Sequence, residues 1–166
     1  MADNITLGDA RLTAEQVQLA ARTAGADPFI RALPNGYDTM LSDSGRGSGV
    51  QLSAGQRQLL ALTRALVTRP AVLLLDEATA VVDGASDAAF RAALHDHVLP
   101  TGTAVLTVAH RLATAREADH VIVLAGGQVM EQGEPAALLT RRSRFADLVA
   151  LEAAGWDWQR DPDSPH

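Results

Sequence analysis

The sequence contains no lysine, because all 14 of its Lys+Arg residues are arginines. A phosphate-binding loop of the form GxxxxGK[ST] places its lysine on the β- and γ-phosphates and its hydroxyl on magnesium. Such a loop is therefore absent from these 166 residues. Cysteine is also absent, which excludes disulfides and thiolate chemistry. No apolar run approaches the roughly 18 residues of a membrane span. The first ten residues, MADNITLGDA, have neither the basic flank nor the apolar core of a signal peptide. The expectation is a soluble, cytoplasmic chain. Basic excess is missing too: the net charge of −6 and pI near 5.2 argue against a general nucleic-acid binder. There is no heptad run or internal repeat. The 47% hydrophobic content suffices for one core.

What is present centres on residues 52–77, LSAGQRQLLALTRALVTRPAVLLLDE. Ser53 fits an N-cap, since its hydroxyl can accept a bond from a free first-turn N–H. Leu59, Leu60, Leu62, Ala65 and Leu66 follow at helical spacing and form an apolar stripe. Pro70 ends the helix and biases Arg69 away from it. The next run, 71–75, has no polar position, which predicts a strand buried on both faces of a covered parallel sheet. Asp76 and Glu77 then fall at the carboxyl end of that strand, where open α/β sheets bind their ligands.

Around this centre, residues 1–9 read as a short polar lead-in. Residues 13–24 read as a helix opened by a Thr13–Gln16 capping box, with Val17, Ala20, Ala21 and Ala24 on one face and Gly25 as its stop. Residues 27–32 give a further helical turn before the Pro34-Asn35-Gly36 turn. The glycine-rich 42–49 segment, SDSGRGSG, reads as a flexible loop. Residues 84–99 form a helix expected to pack Ala88, Ala92 and Leu94 inward. His95 and His97, two apart on it, point in different directions and are read as surface residues. Strands follow at 103–108, 121–124 and 128–130, the last two joined at Gly126-Gly127. Closing helices span 134–139 and 145–151, and residues 156–166 read as a disordered tail.

Taken singly, Ser53 is an ordinary cap, Asp76-Glu77 a helix start and His110 a structural histidine. Together the segments resemble a known family. LSAGQ resembles the signature sequence of ATP-binding cassette (ABC) ATPases, and VLLLDEAT their Walker B strand with its catalytic glutamate. AVVD at 80–83 resembles the D-loop, and VAHRLATAREADHVIVLAGGQVMEQG the switch-histidine segment and following hairpin. The resemblance spans roughly residues 5–148 and is strongest to exporters. It implies an α/β fold: a partial P-loop NTPase domain with a helical subdomain at about 10–70, a mostly parallel sheet and a terminal β-hairpin within a catalytic-core remainder at about 71–155. It implies ATP and magnesium as cofactors, with Glu77 and His110 catalytic, Ser53, Ala54, Gly55 and Gln56 on the nucleotide, Asp76 on magnesium through water, and Asp83 at a dimer interface.

The implied partners are a second nucleotide-binding domain, the transmembrane domains of an exporter and a separate P-loop half, with assembly at the inner face of the membrane. Nucleic acid is not expected. Ala54 stands where glycine is commoner, and Ala80, Val81 and Val82 depart from the usual D-loop pattern. Two other readings stay open: a non-enzymatic truncated half-domain, and a head fragment of a DNA-repair or chromosome-maintenance ATPase. The second is weakened by the lack of a coiled-coil arm before the signature and by the exporter-like AHRLATAREAD. In the family the P-loop strand separates those at 103–108 and 121–124, so these two are expected not to pair directly.

Overall fold

The computed structural model describes residues 1–42, 49–76, 84–109 and 111–154. They fall into two compact units, Met1–Thr107 and Val108–His166. In the first, the polar lead-in expected at 1–9 is instead a one-turn helix, α1 (Ala2–Thr6), because Ile5 buries its side chain almost completely. Met1 and Ile5, the two buried residues here, make too short a pattern to show a helical period, which is why the turn is invisible in sequence. Helix α2 (Ala14–Thr23) opens with the expected capping box. The Gln16 N–H donates to Thr13 Oγ1 at 3.3 Å, and the Thr13 N–H to Gln16 Oε1 at 2.8 Å. Val17, Ala20, Ala21 and Ala24 are buried as predicted.

Helix α3 (Asp27–Ala32) is held by Asp27, which accepts from Tyr37 Oη at 2.7 Å and Arg31 Nε at 2.8 Å. Burial alone would raise the pKa of Asp27, but the Tyr37 and Arg31 donors outweigh it and the net shift is downward. The Tyr37 phenol is pushed up, first by burial and then by its bond to Asp27. Beyond it, Leu41 and Val50 form a parallel bridge. Gly49 permits it: an added Cβ there would stand 2.6 Å from the Leu41 carbonyl carbon.

Helix α4 (Ala54–Leu66) buries Leu60, Leu62 and Leu66 in the core of the unit, with Leu59 and Ala65 partly covered. Arg69 leaves the helix in the left-handed region, φ 52°, ahead of Pro70. Strands β1 (Val72–Asp76) and β2 (Ala104–Val108) are hydrogen-bonded neighbours. The Ala104 N–H donates to the Ala71 carbonyl at 2.9 Å and the Thr103 hydroxyl to the Pro70 carbonyl at 3.1 Å. Both strands thus start at the same end and run in parallel, as a crossover connection requires.

Two expectations need correction. β1 is not buried on both sides: Leu73 is buried, but Leu74 is 70% exposed and Val72 also faces solvent. On β2, Leu106 and Val108 are likewise exposed. An all-apolar strand has no polar side to mark the wetted face. In α5 (Gly84–Ala93), Ala88 is exposed and so is Ala92, while Asp87, Phe90 and Ala93 turn inward. Phenylalanine offers far more apolar area than alanine and sets the phase of the helix. The helix expected to run to Leu99 passes into a π-helical turn at Leu94–Val98, which carries the exposed His95 and His97.

In the second unit, α6 (Leu112–Arg116) precedes an antiparallel hairpin of β3 (Val121–Ala125) and β4 (Gln128–Gly133). Gly126 and Gly127 both have positive φ, which the tight two-residue turn demands. The register shifts between Val123 and Leu124, so Met130 is the bulged residue. Helices α7 (Pro135–Leu139) and α8 (Arg144–Ala153) close the unit around Leu112, Val121, Leu138 and Phe145. Ser143 caps α8, accepting from the Ala146 N–H at 2.9 Å, while Glu131 accepts from the Phe145 N–H at 3.1 Å. Among the described residues β2 and β3 lie in separate sheets, consistent with the expectation that they do not pair.

Two outcomes follow. Leu73→Ala should cost about 2–5 kcal/mol in chemical denaturation, whereas Leu74→Glu should change stability by no more than about 0.5 kcal/mol and lower self-association in light scattering. Equal destabilisation by both would contradict the one-sided sheet. Tyr37→Phe should cost about 1–2 kcal/mol near neutral pH. The native pKa of Asp27 lies below its ordinary 3.8, so its contribution is complete above that value and is lost as pH falls through the native one. The difference between the two proteins should therefore shrink in urea titrations carried from neutral to strongly acidic pH, and a pH-independent difference would refute the assignment.

Candidate functional site

The first turn of α4 brings four of the sequence-predicted residues together. Ser53 has an extended backbone, φ −64° and ψ 166°, and its Oγ accepts from the Gln56 N–H at 3.1 Å. The Gln56 side chain returns the bond, its Oε1 accepting from the Ser53 N–H at 3.0 Å. The serine cap is as expected; the reciprocal bond is additional, although the S-x-x-Q spacing signals it. Gln56 thus holds the turn together through its side chain. Ser53 and Ala54 are exposed, and Gly55 is buried. Among the described residues, the N–H groups of Ala54 and Gly55 have no acceptor within the chain, as the first positions of any helix lack one.

This arrangement suits an anion. Unpaired N–H groups at the positive end of a 13-residue helix attract negative charge. The Ser53 hydroxyl keeps its own proton to donate, because the capping bond uses only its lone pair. Arg57, on the next turn, is directed backward: its Nη1 donates to the Leu52 carbonyl at 2.7 Å and braces the entry to the helix.

Asp76 is the last residue of β1 and is exposed there. A carboxylate at the open end of a strand fits a hydrated, oxygen-ligated cation such as magnesium. Glu77, Asp83 and His110 lie outside the described residues, as do most of the 42–49 loop and the tail. The site as described therefore consists of the signature turn and Asp76.

A further feature of the first unit was not anticipated. An open cleft of about 570 Å³ is walled by α1 through Ala2, Asp3 and Thr6, and by α2 through Val17 and Gln18, with Tyr37 and Asp38 beside them. Asp9, also at its rim, pairs with Arg11 at 2.8 Å, and that hydrogen-bonded guanidinium holds its pKa down at about 2. No sequence signal points to the cleft, because its wall is α1, a turn without a periodic pattern.

Comparison with known proteins gives the arrangement its context. The ABC transporter family model matches residues 6–80. The chain is 41% identical over 150 residues to the multidrug resistance protein pgp-1 of Caenorhabditis elegans, covering 90% of this chain and 11% of that protein. It is 44% identical over 151 residues to the cyclolysin secretion/processing ATP-binding protein CyaB of Bordetella pertussis, covering 91% and 20%. A solved structure of a bacterial Atm1-family ABC exporter with ATP bound superposes with a TM-score of 0.75 at 33% identity, over 92% of this chain and 26% of that one. The chain thus spans between about a tenth and a quarter of the length of these relatives. With the signature turn capped on α4 and Asp76 ending β1, the chain belongs to the ABC transporter ATP-binding family and is a segment of an exporter-type nucleotide-binding domain.

Proposed function

We propose that this segment supplies the signature, Walker B and switch elements of an ATPase that energises export across a membrane, acting at its cytoplasmic face. The observation that carries the reading is the signature turn: an exposed serine hydroxyl beside two free N–H groups at a helix N-terminus, built to meet phosphate. In this reading Ser53, Ala54 and Gly55 contact the γ-phosphate of a nucleotide held by a second nucleotide-binding domain, and Gln56 keeps the turn in shape. Asp76 holds magnesium through water, and the ion when bound neutralises charge on the phosphates. Glu77 takes the proton of the attacking water as general base. His110 steadies the γ-phosphate, and Asp83 lies at the contact between the two domains. The helical subdomain, about residues 10–70, faces the transmembrane domains, with the α1–α2 cleft as part of that surface.

The lysine that grips the phosphates lies outside these 166 residues, in a P-loop half. The exposed apolar face of β1 and β2, with Val72, Leu74 and Leu106, supports such a partner because an uncovered face of this kind gains by burial.

The purified chain by itself should neither bind ATP tightly nor hydrolyse it; magnesium-dependent turnover removed by Glu77→Gln would overturn this. With a P-loop half supplied, Glu77→Gln should lower turnover by about 10²- to 10⁴-fold. Ser53→Asp gives a sharper test of the turn, since aspartate caps as well as serine but sets a negative charge against the phosphate. Circular dichroism should be unchanged while nucleotide-driven dimerisation of the reconstituted domain is lost. Dimerisation that survives would reduce Ser53 to a cap.

A further inference from the structure

Helix α1 is a single turn, too short to persist unaided because nucleation fixes several residues for one hydrogen bond. Its backbone leaves the helix through two left-handed residues, Leu7 at φ 53° and Gly8 at φ 80°. Among the described residues, the Asn4 carbonyl therefore accepts no backbone N–H from further along the chain: the Leu7 N–H goes to the Asp3 carbonyl and the Gly8 N–H to Thr6 Oγ1. Arg64, 60 residues away on the last turn of α4, fills the role. Its Nε donates to the Asn4 carbonyl and its Nη2 to Asn4 Oδ1 at 3.0 Å. The guanidinium is a C-cap delivered from another helix, with its positive charge at the negative end of α1. A planar fork can serve both acceptors at once, whereas an ammonium on a flexible stem reaches one. Ile5, the next residue along α1, is buried in the core of the unit.

The placement of this contact gives it a consequence. α1 carries Ala2, Asp3 and Thr6 of the cleft wall, and α4 carries the signature turn at its other end. We propose that Arg64 is a positioning residue that binds the α1 wall of the cleft to the signature helix, so that the two move as one body. A partner pressing on α1 then displaces α4 as a rigid rod, and the displacement reaches Ser53 without a change inside the helix. This use of the link rests on the reading of cleft and turn given above; the link itself is tested without partner or nucleotide.

The test is hydrogen exchange of the full chain, followed by mass spectrometry across a urea series below the unfolding transition, comparing segments from α1 and α4. In the unaltered protein the two should open together as one cooperative unit. In Arg64→Ala, α1 should exchange at least about tenfold faster relative to α4, and Arg64→Lys should fall between. Asn4→Ala, which keeps the backbone acceptor and disturbs no packing of α4, should separate the two segments partially, and should add nothing once Arg64 is alanine. Separate opening of α1 and α4 in the unaltered protein would overturn the proposal. So would equal acceleration of both segments in Arg64→Ala, since that marks general loss of packing. Failure of the nucleotide reading would appear in the Ser53→Asp dimerisation measurement and leave these exchange rates as they are.

Discussion

Everything described in the first unit refers back to how α4 is fixed. Three leucines, Leu60, Leu62 and Leu66, seat one face of it in the core, each contributing roughly 1.5–3 kcal/mol by burial. The fully buried Thr63 hydroxyl turns back to the Leu59 carbonyl at 2.7 Å and so leaves no unsatisfied group there. The two ends then do different work. At the front, the Ser53–Gln56 box satisfies two N–H groups by side chain, those of Ser53 and Gln56, while the N–H groups of Ala54 and Gly55 stay available. At the back, Arg64 reaches out to α1. A helix seated this firmly gives a fixed direction to whatever meets its first turn.

Short helices elsewhere depend on remote side chains in the same way. Glu131, on β4, accepts from the first turn of α8 and also lies 3.7 Å from Arg141. Glu152, late in α8, accepts from the Leu112 N–H at the start of α6 at 3.4 Å. Each is a carboxylate placed at the positive end of a helix by tertiary structure rather than by local sequence. Helices of five to ten residues have little stability of their own, so these contacts, with the buried Leu112, Leu138 and Phe145, decide where they form.

The sheet shows a different constraint. β1 and β2 cover only one face with core side chains, and apolar residues on the other face meet solvent. The same alternation holds on the hairpin, where Leu124 and Val129, paired across the strands, are both exposed. Backbone pairing fixes strand direction and register, but it does not supply a second layer. The covering layer has to come from other residues, in agreement with a segment of a larger domain.

Local structure was already written in short stretches of residues. The Thr13 and Ser53 caps, the α4 stripe, the stop at Pro70, the Gly126-Gly127 turn and the parallel strands after α4 and α5 all follow from short-range rules of spacing, capping and turn chemistry. The family was legible for the same reason, since signature and Walker B are contiguous motifs. Which faces are dry was settled by long-range packing. It turned Phe90 rather than Ala88 and Ala92 inward, left Leu74 exposed and folded residues 2–6 into a helix. It also paired Arg64 with Asn4 across 60 residues and opened the cleft beside α1. These outcomes depend on which surfaces meet at long range, and a linear pattern specifies the polarity of a position without naming the partner that will cover it.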